Sequence, residues 1–214
     1  MNSTRAEAAP EAAPLGRRER NKLRVRERLY TAALTLFTEQ GYDETSIDEI
    51  AERADVARGT FFNYFQRKED LLGTWGEMRR DQLRDSLAAD ALGAGATRTR
   101  LQACMRALGK MNDEDQKETR AVLMAWVRAG RPLLEEPYLA ELFSELVADG
   151  VVRGEFREGT DADRVGHALR DLYLGTLYRW CMQPGRKGAL SKELLAILDI
   201  LLYGALAQPA PARA

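Results

Sequence analysis

The stretch Ser46–Lys68, SIDEIAERADVARGTFFNYFQRK, constrains this chain more than any other. Ser46 followed three residues later by Glu49 is a capping box, in which hydroxyl and carboxylate each take up a backbone N–H that a starting helix leaves without a partner. A helix is therefore predicted to begin here. Ile47, Ile50, Ala51 and Ala54 recur at spacings of three and four on one face, with Asp48, Glu49, Glu52 and Arg53 opposite. The small Ala51 leaves room for a crossing helix. Asp55 falls where the helix has to stop and turn, and Asp tolerates the left-handed backbone better than most residues. A second helix can begin near Ala57, with Phe61 and Phe65 turned inward and Arg58, Gly59, Thr60, Phe62, Asn63 and Tyr64 around the outer side. Two helices joined by a tight turn, the second with that outer side, form a helix-turn-helix of the shape a major groove accepts.

The flanking segments read as helices too. Val25, Leu29, Ala32 and Leu36 repeat at four, three and four ahead of Gly41, a suitable stop. Lys68 and Glu69 open a fourth helix to about Ala89, with Leu71, Leu72, Trp75 and Met78 inward, and its first amides together with Lys68 form a candidate phosphate site. After a break at 93–96, Leu101, Cys104, Met105 and Leu108 mark a fifth helix. Asn112 is expected to cap a sixth, carrying Val122, Leu123, Trp126 and Val127 and ending at Gly130–Pro132. Pro137 suits the start of a seventh, with Leu139, Leu142, Phe143 and Leu146 running to a stop at Gly150. Residues 161–182 and 190–206 are apolar over more than one face, so each needs cover on two sides, from its own core or from a partner subunit. No segment alternates with period two for long enough to be a strand, and the expected fold class is all-α.

Charge bounds the partners. The chain holds 32 basic and 33 acidic residues, so it is not a polycation that would coat nucleic acid. Between Arg17 and Arg28, however, basic residues exceed acidic ones by five, a local patch directly ahead of the helix-turn-helix and suited to phosphate contact. Cys104 and Cys181 lie far apart without CxxC spacing and His167 is the single histidine, so no metal site or cofactor is expected and the thiols suit a reducing compartment. The N-terminal residues lack an apolar core of the signal-peptide kind, and no apolar run reaches the roughly 18 to 20 residues of a membrane span. A cytoplasmic location with no membrane partner is expected. Catalysis finds no Ser-His-Asp or Cys-His set and no Gly-rich phosphate loop, so the chain is not read as an enzyme. Trp75, Met78, Met105, Trp126, Phe143 and Tyr173, with His167, are the candidates for a ligand cavity, although such side chains also line ordinary cores. A mainly apolar ligand is expected, held by one or two polar groups such as Tyr173, His167 or Arg128.

Over residues 17–72 the chain resembles the TetR (tetracycline repressor) family of transcriptional regulators. FTEQGY at 37–42, Thr45-Ser46-Ile47, Ile50-Ala51, GTFFNYF at 59–65, Lys68 and Leu71-Leu72 all stand in the family's register. Asp55, Ala57 and Phe62 depart from it, where Gly, Ser or Thr, and Tyr are usual. The last two departures remove hydroxyls that commonly reach phosphates, and Ala57 gives up a good N-cap.

Residues 1–16, rich in Ala, Pro and Glu with little to bury, read as a disordered arm, and 208–214 as a disordered tail. The resemblance implies a three-helix DNA-binding domain (17–67) and a larger helical ligand-binding and dimerisation domain (68–207). It implies a homodimer, most simply a repressor, that binds double-stranded DNA at a palindromic operator and is released by a small effector. In its register Arg58, Thr60, Asn63 and Tyr64 face base edges beside Gly59, and Thr45, Ser46, Phe62 and Lys68 position the backbone. It also assigns dimerisation to the last two helices, through Leu169, Leu172, Gly175, Leu194, Leu198 and Leu201. The competing reading is an all-α ligand-binding or protein-interaction dimer without tight DNA binding.

Overall fold

The computed structural model describes residues 16–89, 95–129, 138–183 and 188–204. The expected arm (apart from Gly16), the tail, Gly93–Ala94, the Gly130–Pro132 stop and Pro137 lie outside the described residues. All regular structure among the described residues is helical: α1 Arg17–Glu39, α2 Ile47–Arg53, α3 Arg58–Phe62, α4 Asp70–Ala89, α5 Thr97–Glu114, α6 Gln116–Arg128, α7 Tyr138–Val152, α8 Ala162–Met182 and α9 Ala189–Tyr203. None of these helices is long and apolar enough to cross a membrane.

Two cores organise them. The first gathers Leu29, Ala33 and Phe37 of α1, Ile50 of α2 and Phe61 of α3, with Phe65 beyond. It also takes in Leu71, Leu72 and Trp75 of α4 and Val122 and Ala125 of α6, so the helix-turn-helix is sealed by residues well past 67. Fully burying a side chain such as Phe61 or Leu71 contributes about 1.5–3 kcal/mol. The second core joins α5, α7, α8 and α9 around Leu101, Met105, Phe143, Leu169, Leu177 and Leu194. Close packing there depends on small residues: a Cβ at Gly166 would run into Ala140 and Ser144 of α7, and one at Gly109 into Ser191 of α9.

The turn between α2 and α3 has the predicted form. Asp55 is the single non-glycine residue with positive φ among the described residues, at 53°. Its conformation is supported from α1, since Arg28 donates to the carbonyl oxygens of Ala54 and Asp55 and to the Asp55 carboxylate. That arginine stabilises the turn of the motif in addition to belonging to the basic stretch.

Several expectations need correction. Asn112 does not cap α6; it lies buried in the last turns of α5, because its amide finds three partners inside the protein. Gly150 does not stop α7, which runs on to Val152; it is glycine because Thr97 and Phe156 press against that position. The helix ends near Gly154, whose φ is 74°. Met78 is 43% exposed instead of facing inward with Trp75. Leu169, Leu194 and Leu198 fill the second core of their own subunit and cannot form a face for a partner. Leu172 and Leu201 are half-buried, and Gly175 is exposed with no atom near its missing Cβ.

Candidate functional site

The outer side of α3 presents the residues expected there. Arg58, Gly59, Phe62 and Asn63 are exposed, with Thr60 and Tyr64 half-buried, while Phe61 and Phe65 anchor the segment beneath. Arg58 Nε lies 3.0 Å from Asp48 Oδ1, and its guanidinium stands 5.8 Å from the Phe62 ring. Ala57 makes no side-chain cap bond to α3.

Ser46 completes its capping box: Oγ accepts from Glu49 N–H at 3.2 Å, and Ser46 N–H donates to Glu49 Oε2 at 2.8 Å. These hydrogen bonds hold the Glu49 carboxyl below its usual range.

Two positioning residues sit differently from expectation. Thr45 is buried, its hydroxyl donating to Gly41 O at 2.7 Å, so it cannot face a duplex. Lys68 Nζ donates to Tyr42 O at 2.6 Å and Thr45 O at 2.8 Å, and lies 4.1 Å from the Tyr42 ring centroid. It clamps the α1–α2 loop onto the start of α4. The expected phosphate site there is already filled: the first amides of α4, on Asp70, Leu71 and Leu72, donate to the carbonyl oxygens of Arg67, Lys68 and Glu69 at 3.2, 3.3 and 3.0 Å, and the preceding amides of Gln66 and Arg67 donate to Asp70 Oδ2. Within the basic stretch Arg17, Arg18, Lys22 and Arg24 are exposed. Arg26 instead reaches Thr74 at 3.1 Å and Glu77 at 3.6 Å on α4.

A cavity of about 560 Å³ lies between α4, α6 and α8 and extends behind the end of α3. Its α8 wall is Arg170, Tyr173, Leu174 and Leu177, one helical face; Leu83, Leu108 and Leu139 add apolar surface, and Tyr64 and Phe65 close the end toward the helix-turn-helix. Trp75 and Trp126 line it edge to face, ring centroids 5.7 Å apart at 90°.

Of the expected ligand residues, the structure thus brings Trp75, Trp126 and Tyr173 together. Met105 and Phe143 belong to the second core, and Met78 borders a separate groove along α1. His167 is exposed on α8, its Nδ1 2.8 Å from Asp163 O, and Arg128 is ion-paired with Asp43 at 2.6 Å. Neither serves as an anchor here. Arg170 was not foreseen, although its signal is present in the sequence as an arginine three, four and seven residues before Tyr173, Leu174 and Leu177. It is 6% exposed, with Nε and Nη2 on Asp171 Oδ1 at 2.9 and 2.7 Å.

Behind Tyr173 lies a buried polar chain. Thr119 Oγ1 donates to Asn112 Oδ1 at 3.2 Å, and Asn112 Nδ2 donates to Leu108 O at 2.6 Å and to the Tyr173 hydroxyl at 3.0 Å. Burial pushes the Tyr173 phenol up to about 12, against the Asn112 hydrogen bond, so it is neutral at physiological pH.

A capped helix-turn-helix joined through shared helices to a helical body with a cavity between its helices defines a DNA-binding regulator with a sensing domain. The sequence profile of bacterial regulatory proteins of the tetR family matches residues 29–73. A solved structure of Thermus thermophilus FadR, a TetR family transcriptional repressor in complex with lauroyl-CoA, is 31% identical, covering 88% of this chain and 99% of that one with a TM-score of 0.70. The transcriptional repressor KstR of Mycolicibacterium smegmatis is 28% identical over 86% of this chain and 89% of its own. Bacillus subtilis FadR in complex with stearoyl-CoA, 20% identical with a TM-score of 0.69 over 84% of this chain and 99% of its own, shares the fold. This chain belongs to the TetR family of transcriptional regulators.

Proposed function

We propose that the protein is a homodimeric repressor that reads a palindromic operator with α3 and releases it when an amphiphilic effector, of the fatty acyl-CoA class, enters the cavity. The observation that carries this reading is the reach of that cavity, from the apolar face of α8 to Tyr64 and Phe65 directly behind α3. Its volume falls within the roughly 300–1,000 Å³ of small-molecule sites. Its lining combines leucines and tryptophans with Arg26, Arg79, Arg80 and Arg170, paired in turn with Glu77, Asp115, Asp81 and Asp171, and an anionic head on an apolar tail can compete for those cations. The Thermus thermophilus relative, bound to lauroyl-CoA, supports the same class.

Coupling follows from the walls. Trp75 and Trp126 meet the cavity while their helices supply Leu71, Leu72, Val122 and Ala125 to the core under the helix-turn-helix. A ligand that parts the two indoles moves α4 and α6 against α1, and with them the spacing of the two recognition helices in the dimer. Coupling of this kind is typically about 1–3 kcal/mol, or 5- to 150-fold in operator affinity. Symmetric subunits place their half-sites about 34–36 Å or a multiple apart.

For the dimer face we propose a revised surface made of Gly175, Tyr178 and Met182 of α8 with Ala196, Ile200 and Tyr203 of α9, which are exposed at helical spacing. The domain assignment is kept with α4 as the connector, its start serving the helix-turn-helix and Leu83 serving the second core. Footprinting the protein on the DNA flanking its own gene, then titrating in lauroyl-CoA, tests the whole reading. Protection of a two-fold symmetric site that fades with lauroyl-CoA is expected, and protection unaffected by acyl-CoAs of any chain length would remove the effector class.

A further inference from the structure

The buried polar chain behind the cavity leaves one hydrogen without a partner. Leu108 O can only accept, so the nitrogen of the Asn112 amide faces it, and the oxygen faces Thr119 Oγ1. The second amide hydrogen then points at Tyr173, whose oxygen accepts it at 3.0 Å. The phenol's own hydrogen has no acceptor among the described residues. Tyr173 is 6% exposed, and the space next to it is the cavity it lines, between Arg170 and Leu177 on the same helical face. A neutral donor held there by Asn112 matches a ligand atom that accepts without carrying charge, set within an otherwise apolar wall.

We infer that the Tyr173 hydroxyl is the specificity-determining contact of the cavity, donating a hydrogen bond to a carbonyl oxygen at the junction of the effector's apolar tail and its anionic head. This inference rests on the reading of the cavity as the effector site. Because burial holds the phenol neutral well beyond physiological pH, the contact does not vary between pH 6 and 9. Asn112 and Thr119 act as positioning residues: they set which way the phenol's hydrogen points, and Thr119 ties that choice to the first turn of α6.

The test compares two probes on the full-length protein by calorimetry: lauroyl-CoA and S-dodecyl-CoA, a thioether of equal chain length that lacks the carbonyl oxygen. Wild type is expected to prefer lauroyl-CoA about tenfold, the effect of leaving a buried donor without its acceptor. Tyr173→Phe, measured below its own melting temperature, is expected to bind the two probes equally. Equal binding of both probes by wild type, or a preference surviving in Tyr173→Phe, would overturn the inference while leaving the cavity as an acyl-chain site. Binding of neither probe would overturn the cavity reading and the inference together. Equal binding by wild type overturns the inference even if the variant does not fold.

Discussion

Arg58 Nε lies 3.0 Å from the Asp48 carboxylate, so the cation of the recognition helix is held by the helix that precedes it. Both side chains are exposed, and an ion pair of that kind is worth about 0–1 kcal/mol. A bidentate contact to a guanine edge discriminates by about 1–3 kcal/mol, enough to draw Arg58 away. Arg58→Ala is therefore expected to flatten sequence preference at one base pair per half-site while leaving non-specific affinity nearly intact. Competition binding against single-base operator variants measures this, and an unchanged preference profile would place the base contact elsewhere.

Lys68 calls for a different expectation from that of a phosphate contact. Its ammonium bridges Tyr42 O and Thr45 O and stacks on Tyr42, whose hydroxyl donates to Glu69 Oε1 at 2.7 Å. Removing a charged donor from two part-buried carbonyls costs about 1–3 kcal/mol. In a chain of this size that corresponds to about 2–4 °C of melting temperature per kcal/mol. Lys68→Ala is expected to melt earlier yet to keep the wild-type dependence of operator affinity on salt. A salt slope lower by about one, with stability unchanged, would instead restore the phosphate role.

Much of the architecture was legible because short-range chemistry fixes it. The Ser46–Glu49 box, the left-handed Asp55 and the inward pair Phe61 and Phe65 depend on neighbours within a few residues. Several of the failures concern contacts between residues distant in the chain. Asn112 looks like a cap until Tyr173, 61 residues on, supplies its partner. Thr45 resembles a surface group until its hydroxyl turns back to Gly41 O within the α1–α2 loop, and Lys68 does so until that loop offers it the Thr45 carbonyl. Leu169, Leu194 and Leu198 share their helices with an exposed stripe, and apolar content on two faces does not say which face meets the same chain. The cavity was half legible for the same reason: its aromatic lining was chosen from composition, whereas Arg170 required the register of α8 against α4 and α6.

The revised dimer face separates two substitutions that the sequence treated as equivalent. Gly175→Arg places a charge on an exposed position that no atom of its own subunit approaches. Sedimentation should show a folded monomer that no longer retards operator DNA. Leu198→Arg buries a charge beside Leu194 in the second core, a change of the strongly destabilising kind. It is expected to lose its cooperative thermal transition outright. A Leu198→Arg protein that melts like wild type but sediments as a monomer would return the interface to the leucine face.

The two thiols offer a check on how tightly the second core is closed. Burial pushes Cys104 up to about 12 and Cys181 up to about 11, against the opposing charges of Arg100 and Arg120 respectively. The thiolate is the reactive form, so native protein at pH 8 should resist iodoacetamide and take up two equivalents only after unfolding in guanidinium. The sign of the pH effect follows from which form burial favours. A thiol whose folded pKa is raised favours the folded state while it is protonated, and that contribution is fully present below the unfolded value of about 8.5. For Cys104 it is lost as pH climbs from there through about 12. The gap in melting temperature between wild type and Cys104→Ala should therefore narrow as pH rises from 8 to 11. A constant gap, together with fast labelling of native protein at pH 8, would mean that the core around Leu101 and Leu194 opens to solvent on the timescale of alkylation.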